Sequence, residues 1–487
     1  MEEQSPKLTE YMEAADPDAM LMEQIMDALC QHPPVPEQSL SPGNKLPLNV
    51  FFCGYAGAGN TGADVRVYEI MRQFRHLWGE NVAFCLSVMD AKLCSFFKGM
   101  TDIRELVYLP EFVPAMTNWA DIAVACEGSL FKSNFGDVLS LSMLSTIAFA
   151  KSAGKLPLAY GSEAGSMSPE LLAFTDKFCK GTSVFCRNRQ SIERLSGTGL
   201  NALPGVDTAW SFDPGNSDWA REQLKQSGWD GQQPLLTICP VNPYWWPVRA
   251  DPERYRAFLQ DGSHAENHYG FFYFHAESEE ISRKFEAYIQ SICQAVESWG
   301  RQKNAHVVLI GMDRIDQAAV KALSAQLTCP HSVFTSPEFS PGQIVSLLRL
   351  SDALISSRFH AIVCSMPAGV PCIGLAYDER VPNVIADSGY PELAISVKQS
   401  VTQEAISEAL EAAWNCRREV TENLQVVTTQ QLIDLGRMGR SLCALIQKRY
   451  PHLPCNVDSA DPVDYLPPLS PELQRLLDKY GYSKSKL

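Results

Sequence analysis

In the stretch Ser356-Ser357-Arg358-Phe359-His360, a guanidinium and an imidazole stand two positions apart where a strand-like run, DALIS, passes without a spacer into a helical run, HAIVCSM. An Arg in such a place can hold a carboxylate or phosphate in a bidentate contact, and a His can deliver a proton near neutral pH. The start of a helix adds backbone N–H groups that favour an anion. A lone His is usually a packed structural residue; here its neighbours favour an anion site with an acid beside it. Three other stretches offer related chemistry. The loop Gly54–Gly62 has four glycines and contains Asn60; it follows a strand pattern and opens a helix that Asp64 would cap. It does not fit G-x-G-x-x-G, and no Gly-Lys-Ser/Thr follows, so a tight strand-to-helix turn explains it as well as an anion cradle does. Glu127-Gly128-Ser129-Leu130-Phe131 closes the strand pattern ADIAVAC, and the Ser129 hydroxyl could donate to a substrate oxygen, although a plain turn fits equally. Arg187 and Arg189 follow the strand pattern TSVFC, where an anion contact competes with a surface ion pair.

Two weaker groupings carry less. His264, Glu266, His268 and His275 meet no standard zinc spacing, so no metal is expected. The run Pro243-Tyr244-Trp245-Trp246-Pro247 fits stacking on a sugar and buried packing alike.

The elements that must position these residues alternate. From Leu46, short apolar runs (LNVFFCGY, NVAFCLSVM, LVYLP, ADIAVACEG, LPLAYGS, TSVFC) read as strands between amphipathic helices, the longest over Val138–Ser152. This rhythm predicts a mostly parallel sheet covered by helices on both faces. Residues 213–234 are polar and rich in Gly and Asp, and the rhythm restarts after them with PLLTICPV, Glu279–Trp299, HVVLIGM, Gln317–Gln326, DALISS and PCIGLAY. The expectation is an α/β protein of two Rossmann-like lobes in a GT-B-like arrangement, residues 47–215 and 216–400, with the active site in the inter-lobe cleft. Helices in 401–487 would close across both lobes before a Pro-rich tail. Residues 1–46 read as an extension: an amphipathic helix over Pro17–Cys30 and a Pro- and Ser-rich linker. Its apolar stripe would dock on the body or on a second subunit, which leaves a homo-oligomer open.

Composition narrows the partners. Among 487 residues, 41 Lys and Arg against 56 Asp and Glu leave a net charge of −15, which argues against nucleic acid or an anionic membrane face as partner. An anionic substrate must then be held by a few placed cations. The 15 Cys contain no C-x-x-C pair, which suits reduced thiols better than a disulfide framework. The N-terminus lacks a signal-peptide core and no apolar run reaches a membrane span, so a cytoplasmic protein with no transmembrane segment is expected.

Taken in order, the segments resemble the polysaccharide pyruvyl transferase family. The resemblance is carried by Gly54-Tyr55, Gly59-Asn60-Thr61-Gly62, Glu127-Gly128-Ser129-Leu130-Phe131, Gly161–Gly165, Arg187-Asn188-Arg189-Gln190-Ser191, Val206-Asp207-Thr208, Arg358-Phe359-His360-Ala361, Ala368-Gly369-Val370-Pro371 and Tyr377-Asp378-Glu379-Arg380-Val381. It departs from the family pattern at Ala63, where the turn carries Asp, at Glu127 in place of Gly, and at Arg380 in place of Lys. The resemblance implies a transferase that moves a pyruvyl ketal from phosphoenolpyruvate, a donor substrate with no further cofactor, to a glycan or glycoconjugate acceptor. It assigns His360 as general acid and Arg358, Arg187 and Phe359 to the donor, with Asn60, Gly62, Ser129 and Arg380 as further substrate contacts. Glu127 and Asp378 are next in line as acids. The alternatives are a GT-B-fold glycosyltransferase using nucleotide sugars, and an inactive family member acting as a binding protein.

Overall fold

The computed structural model describes residues 11, 13–31, 45–106, 108–399 and 401–481. Seven strands, β1 (Leu48–Cys53), β2 (Val82–Val88), β3 (Asp102–Glu105), β4 (Ile122–Ala125), β5 (Leu156–Ser162), β6 (Ser183–Cys186) and β7 (Asn201–Pro204), pair in the order β3-β2-β1-β4-β5-β6-β7. All these pairs are parallel. Central strands such as LNVFFC and IAVA are almost continuously apolar because helices cover both faces of the sheet, so every side chain is packed. The second sheet is built from β8 (Leu235–Cys239), β12 (His306–Gly311), β13 (His331–Thr335), β14 (Ala353–Ser356), β15 (Cys372–Ala376) and β16 (Ala394–Ser396), ordered β13-β12-β8-β14-β15-β16 and again parallel. Between β8 and β12 lies an antiparallel three-stranded insertion, β9 (Arg249–Ala250), β10 (His268–Gly270) and β11 (Tyr273–Phe274), which the sequence reading did not anticipate. Its strands are two or three residues long, too short for a periodic pattern to stand out.

One local expectation is corrected. The strand expected at LVYLP lies just upstream at Asp102–Glu105, and a helix begins at Leu109. Pro110 cannot donate to a sheet ladder but fits the first turn of a helix, where its missing N–H has no intrahelical role. The polar stretch 213–234, where the rhythm breaks between the two lobes, contains a helix at Asp218–Gln226 that buries Ala220 and Leu224.

The N-terminal extension docks on the body. Helix α1 (Pro17–Gln31) buries Leu21, Met22, Ile25 and Leu29 against α3 (Leu109–Trp119) and α4 (Asp137–Ser152) of the first lobe. From the same extension, Tyr11 bonds the Tyr273 hydroxyl at 2.8 Å and Asp18 accepts from Tyr273 at 2.5 Å, so the strap also reaches the insertion of the second lobe. The linker expected after it, at 32–44, lies outside the described residues. At the other end of the chain, α6 (Arg417–Arg449) runs along both lobes, touching 366–368 on one side and 208–211 on the other. No helix among the described residues is long and apolar enough to cross a membrane.

Candidate active site

The candidate residues sit where strands end. Gly54 follows β1, Glu127 follows β4, Glu163 follows β5, Arg187 follows β6, Asp313 follows β12, Arg358 follows β14 and Arg380 follows β15. In both sheets the strand order reverses beside the first strand, between β1 and β4 and between β8 and β14, and such reversals leave a crevice at the carboxyl edge. The two crevices face one another. One cavity of about 270 Å³ lies between them and is lined by Gly54, Asn60, Gly62, Glu127, Ser129 and Lys132 from the first lobe and by Asp313, Arg358, Phe359, His360 and Arg380 from the second.

The glycine loop is clamped across this seam. Asn60, whose side chain accepts from Ala63 N at 2.9 Å, is the cap of α2 (Thr61–Trp78), and its amide donates to Asp313 Oδ2 at 2.6 Å. The expectation that Asp64 caps this helix is therefore corrected. Asp64 points back into the loop and accepts from Gly57 N at 2.9 Å, because Gly57 takes a positive φ of 66° that turns its N–H inward. Burial without a cationic partner pushes the Asp64 carboxyl up to about 7. Backbone bonds complete the clamp: Thr61 N donates to Met312 O at 2.8 Å and Arg314 N to Gly59 O at 3.0 Å.

Residue His360 lies in the second turn-forming position of α5 (Phe359–Ser365), with its imidazole against the backbone of Gly62. Any Cβ at Gly62 would overlap the ring, so this glycine is needed for the close approach of the two lobes. The His360 Nε2 stands 3.5 Å from Asp207 Oδ2 of the first lobe. Burial lowers the affinity of His360 for a proton; Asp207 opposes this, while Arg66 and Arg187 add to it. Against the upward push of burial, Arg66, His360 and Arg187 hold the Asp207 carboxyl well below the usual range. Asp207 thus stays ionised beside a ring whose affinity for a proton is lowered by burial.

Three cations face the cavity. Arg358 directs Nε and Nη2 at Asp316 and approaches Asp313 at 3.5 Å. Among the described residues its Nη1 makes no hydrogen bond, and the residue lines the cavity. Arg380 donates to Asp378 at 2.6 Å, to the Tyr377 hydroxyl at 2.9 Å and to Ser129 Oγ at 3.3 Å, with its guanidinium 4.7 Å from the Phe135 ring centre. Lys132, fully buried, pairs with Glu379 at 2.9 Å and lies 3.7 Å from Glu163. The contacts Lys132–Glu379, Arg380–Ser129 and His360–Asp207 all cross between lobes.

Seven of the eight residues singled out from the sequence, Asn60, Gly62, Ser129, Arg358, Phe359, His360 and Arg380, line this one cavity. Arg187 lies behind the wall. Its guanidinium donates to Glu163 at 2.7 Å and to Asp207 at 2.8 Å, and the Phe359 ring covers it at 4.1 Å. Arg189 is the surface ion pair that the sequence allowed, 2.9 Å from Glu193. His275 is packed between Trp245 and Trp246, and burial pushes its pKa down to about 3. Sequence reasoning missed Lys132, Glu163 and Arg66. Arg66 sits inside a helix, where a cation ordinarily faces solvent, yet here it is fully buried, donating to Cys126 O at 2.9 Å and Gly161 O at 2.7 Å and lying 3.0 Å from Asp207. Lys132 had a weak signal: it follows a strand end by a few residues, as Ser129 does.

Solved structures with the same two-lobed fold include UDP-GlcNAc 2-epimerase from Neisseria meningitidis bound to UDP-GlcNAc (TM-score 0.51, 11% identity, 82% of this chain and 99% of that one). Another is Anabaena HepE in complex with UDP-glucose (TM-score 0.50, 11% identity, 82% of this chain and 100% of that one). At such identities the likeness is one of fold, and it places the two lobes in the GT-B arrangement. No curated protein matches the sequence. A family model, polysaccharide pyruvyl transferase, matches residues 93–379, more than half of the 487, and spans the crevice residues from Glu127 to Glu379; the chain belongs to that family of transferases.

Proposed function

We propose that the protein transfers a pyruvyl group from phosphoenolpyruvate to a pair of hydroxyls on a sugar-containing acceptor. The observation that carries this reading is the meeting, in one inter-lobe cavity, of an imidazole beside a carboxylate with one buried and two partly buried cations. Protonation of the donor methylene by His360 makes the adjacent carbon oxocarbenium-like. One acceptor hydroxyl adds there and loses its proton; the second then displaces phosphate and closes the ketal. Arg358, Arg380 and Lys132 receive the donor's carboxylate and phosphate, and Phe359 packs beside them. Arg187 acts from behind by fixing Asp207 and Phe359. Asn60 and Ser129 line the same cavity, and Gly62 lets the His360 ring lie close against the first lobe.

The test has two parts. Phosphoenolpyruvate at ~100 times its dissociation constant should stabilise the protein by roughly 2.7 kcal/mol, and UDP- and GDP-sugars should not. Stabilisation by a nucleotide sugar and none by phosphoenolpyruvate would favour a glycosyltransferase on the same fold. In the second part, His360→Gln keeps a hydrogen-bond donor but cannot act as the acid, so turnover should fall ~10²–10⁴-fold with donor binding nearly retained. A His360→Gln enzyme of near-full activity overturns the assignment of the acid.

A further inference from the structure

The cavity has a second end with different chemistry. Beyond the cations it continues between the N-terminal strap, the first lobe and the antiparallel insertion, where Tyr11, Leu21, Leu109, Leu139, Phe271 and Phe272 line it. Leu21, Leu109 and Phe272 are at most 7% exposed, and the Tyr11 ring meets Phe272 edge-on at 4.9 Å, so this limb is walled by packed side chains. The hydroxyls near it are already engaged. Tyr11 bonds Tyr273, Tyr273 donates to Asp18, and Tyr108 donates to Gln24. The limb therefore presents apolar faces and few polar partners.

The limb is open to solvent on the side of Phe271, which is 36% exposed, so an apolar group that enters it exchanges water for packed apolar side chains and is favoured there. A sugar ring would fill it badly, because its hydroxyls would leave water without partners. A short aliphatic or aryl group would fill it well. We propose that the acceptor is amphiphilic: a sugar whose hydroxyl pair reaches the charged end, joined to a small apolar aglycone that enters this limb, with the N-terminal extension forming its roof. This rests on the transferase reading for the sugar end, while the apolar limb stands on its own lining.

Binding to the full chain without donor separates the two. Calorimetric titration would compare methyl, n-hexyl and phenyl glycosides of glucose, galactose and mannose. Each methylene that becomes buried should tighten binding by roughly fourfold at best. At least a tenfold gain from methyl to hexyl or phenyl in a given sugar series is expected, with the hexyl and phenyl members distinguishing an aliphatic from an aryl aglycone. Equal affinity across every series overturns the proposal, whatever phosphoenolpyruvate does. Leu139→Trp, which narrows the limb, should abolish the gain. Phe271→Ser, at a residue that is 36% exposed and so carries little folding risk, should reduce it. A gain that persists in both variants overturns the location. If the gain is present but no donor supports transfer, the function proposed above fails and the apolar site stands.

Discussion

Arg358 has two jobs that can be separated. It neutralises Asp316, which is fully buried, and it offers its remaining edge to the cavity. Arg358→Ala should weaken phosphoenolpyruvate binding by ~2–4 kcal/mol and also destabilise the fold by about 3–5 kcal/mol, because an uncompensated carboxylate is left inside. Adding Asp316→Asn should restore most of the stability and none of the donor affinity, measured by denaturant unfolding and donor titration on the same samples. His360 leads to a second expectation. Burial lowers the affinity of its ring for a proton, and an arriving dianion raises it, so donor binding near pH 7 should be accompanied by proton uptake. Calorimetry in buffers of different ionisation enthalpy would report this as a slope approaching one proton bound; a slope near zero means that the acid lies elsewhere.

The element that carries most of the site is the loop from β1 into α2. Its shape depends on Asp64, which accepts from Gly57 and has its pKa raised by burial from 3.8 to about 7. A carboxyl whose folded pKa is raised contributes stability that is fully present below the unfolded value and lost as pH rises through the folded one. Asp64 should therefore cost progressively more between about pH 4 and pH 7. Asp64→Asn keeps the acceptor for Gly57 N and removes the charge, so it should be more stable than the parent by about 2–4 kcal/mol at pH 8, with the difference vanishing below about pH 4. Unfolding curves at the two pH values check this. In the first turn of α2, Gly62→Ala places a methyl group into the His360 ring. Turnover should drop by at least ~10²-fold, because the ring must move off Asp207 or the lobes must part.

At the scale of the whole molecule, the larger of two hydrophobic clusters spans both lobes. A single cluster of buried side chains runs from Val50 and Phe74 of the first lobe through Trp210 to Ile238, Leu354 and Leu432. The long helix α6 reinforces it, with Met438 against Gly205 and Gly439 against Gln73. Despite two sheets, calorimetry should therefore show one cooperative unfolding transition, with the calorimetric and van't Hoff enthalpies in agreement. Two resolved transitions would mean that the shared core is weaker than its extent suggests.

The alternation of strand and helix was legible in the chain because burial on both sheet faces leaves continuous apolar runs, and burial on one helix face leaves a 3.6-residue period. Gln317–Gln326 was readable to the residue for that reason, and the helix expected at HAIVCSM begins one residue earlier, at Phe359. Arg358 and His360 stood out because an ionisable side chain at the carboxyl end of a strand has little to do there except meet a ligand or a partner, whereas Arg380 was named only through the family resemblance. What the linear chain does not encode locally is which strand ends face each other. Asp207 meets His360, Lys132 meets Glu379 and Asn60 meets Asp313 only after two sheets are docked, across separations of 153, 247 and 253 residues. Arg66 and Lys132 carry no local mark of burial, since a cation inside a helix or loop ordinarily faces water, and only their distant carboxylate and carbonyl partners make burial tolerable. The apolar limb is likewise a tertiary product: Tyr11, Leu139 and Phe272 each read as ordinary core residues, and the space between them exists only because the N-terminal strap spans both lobes.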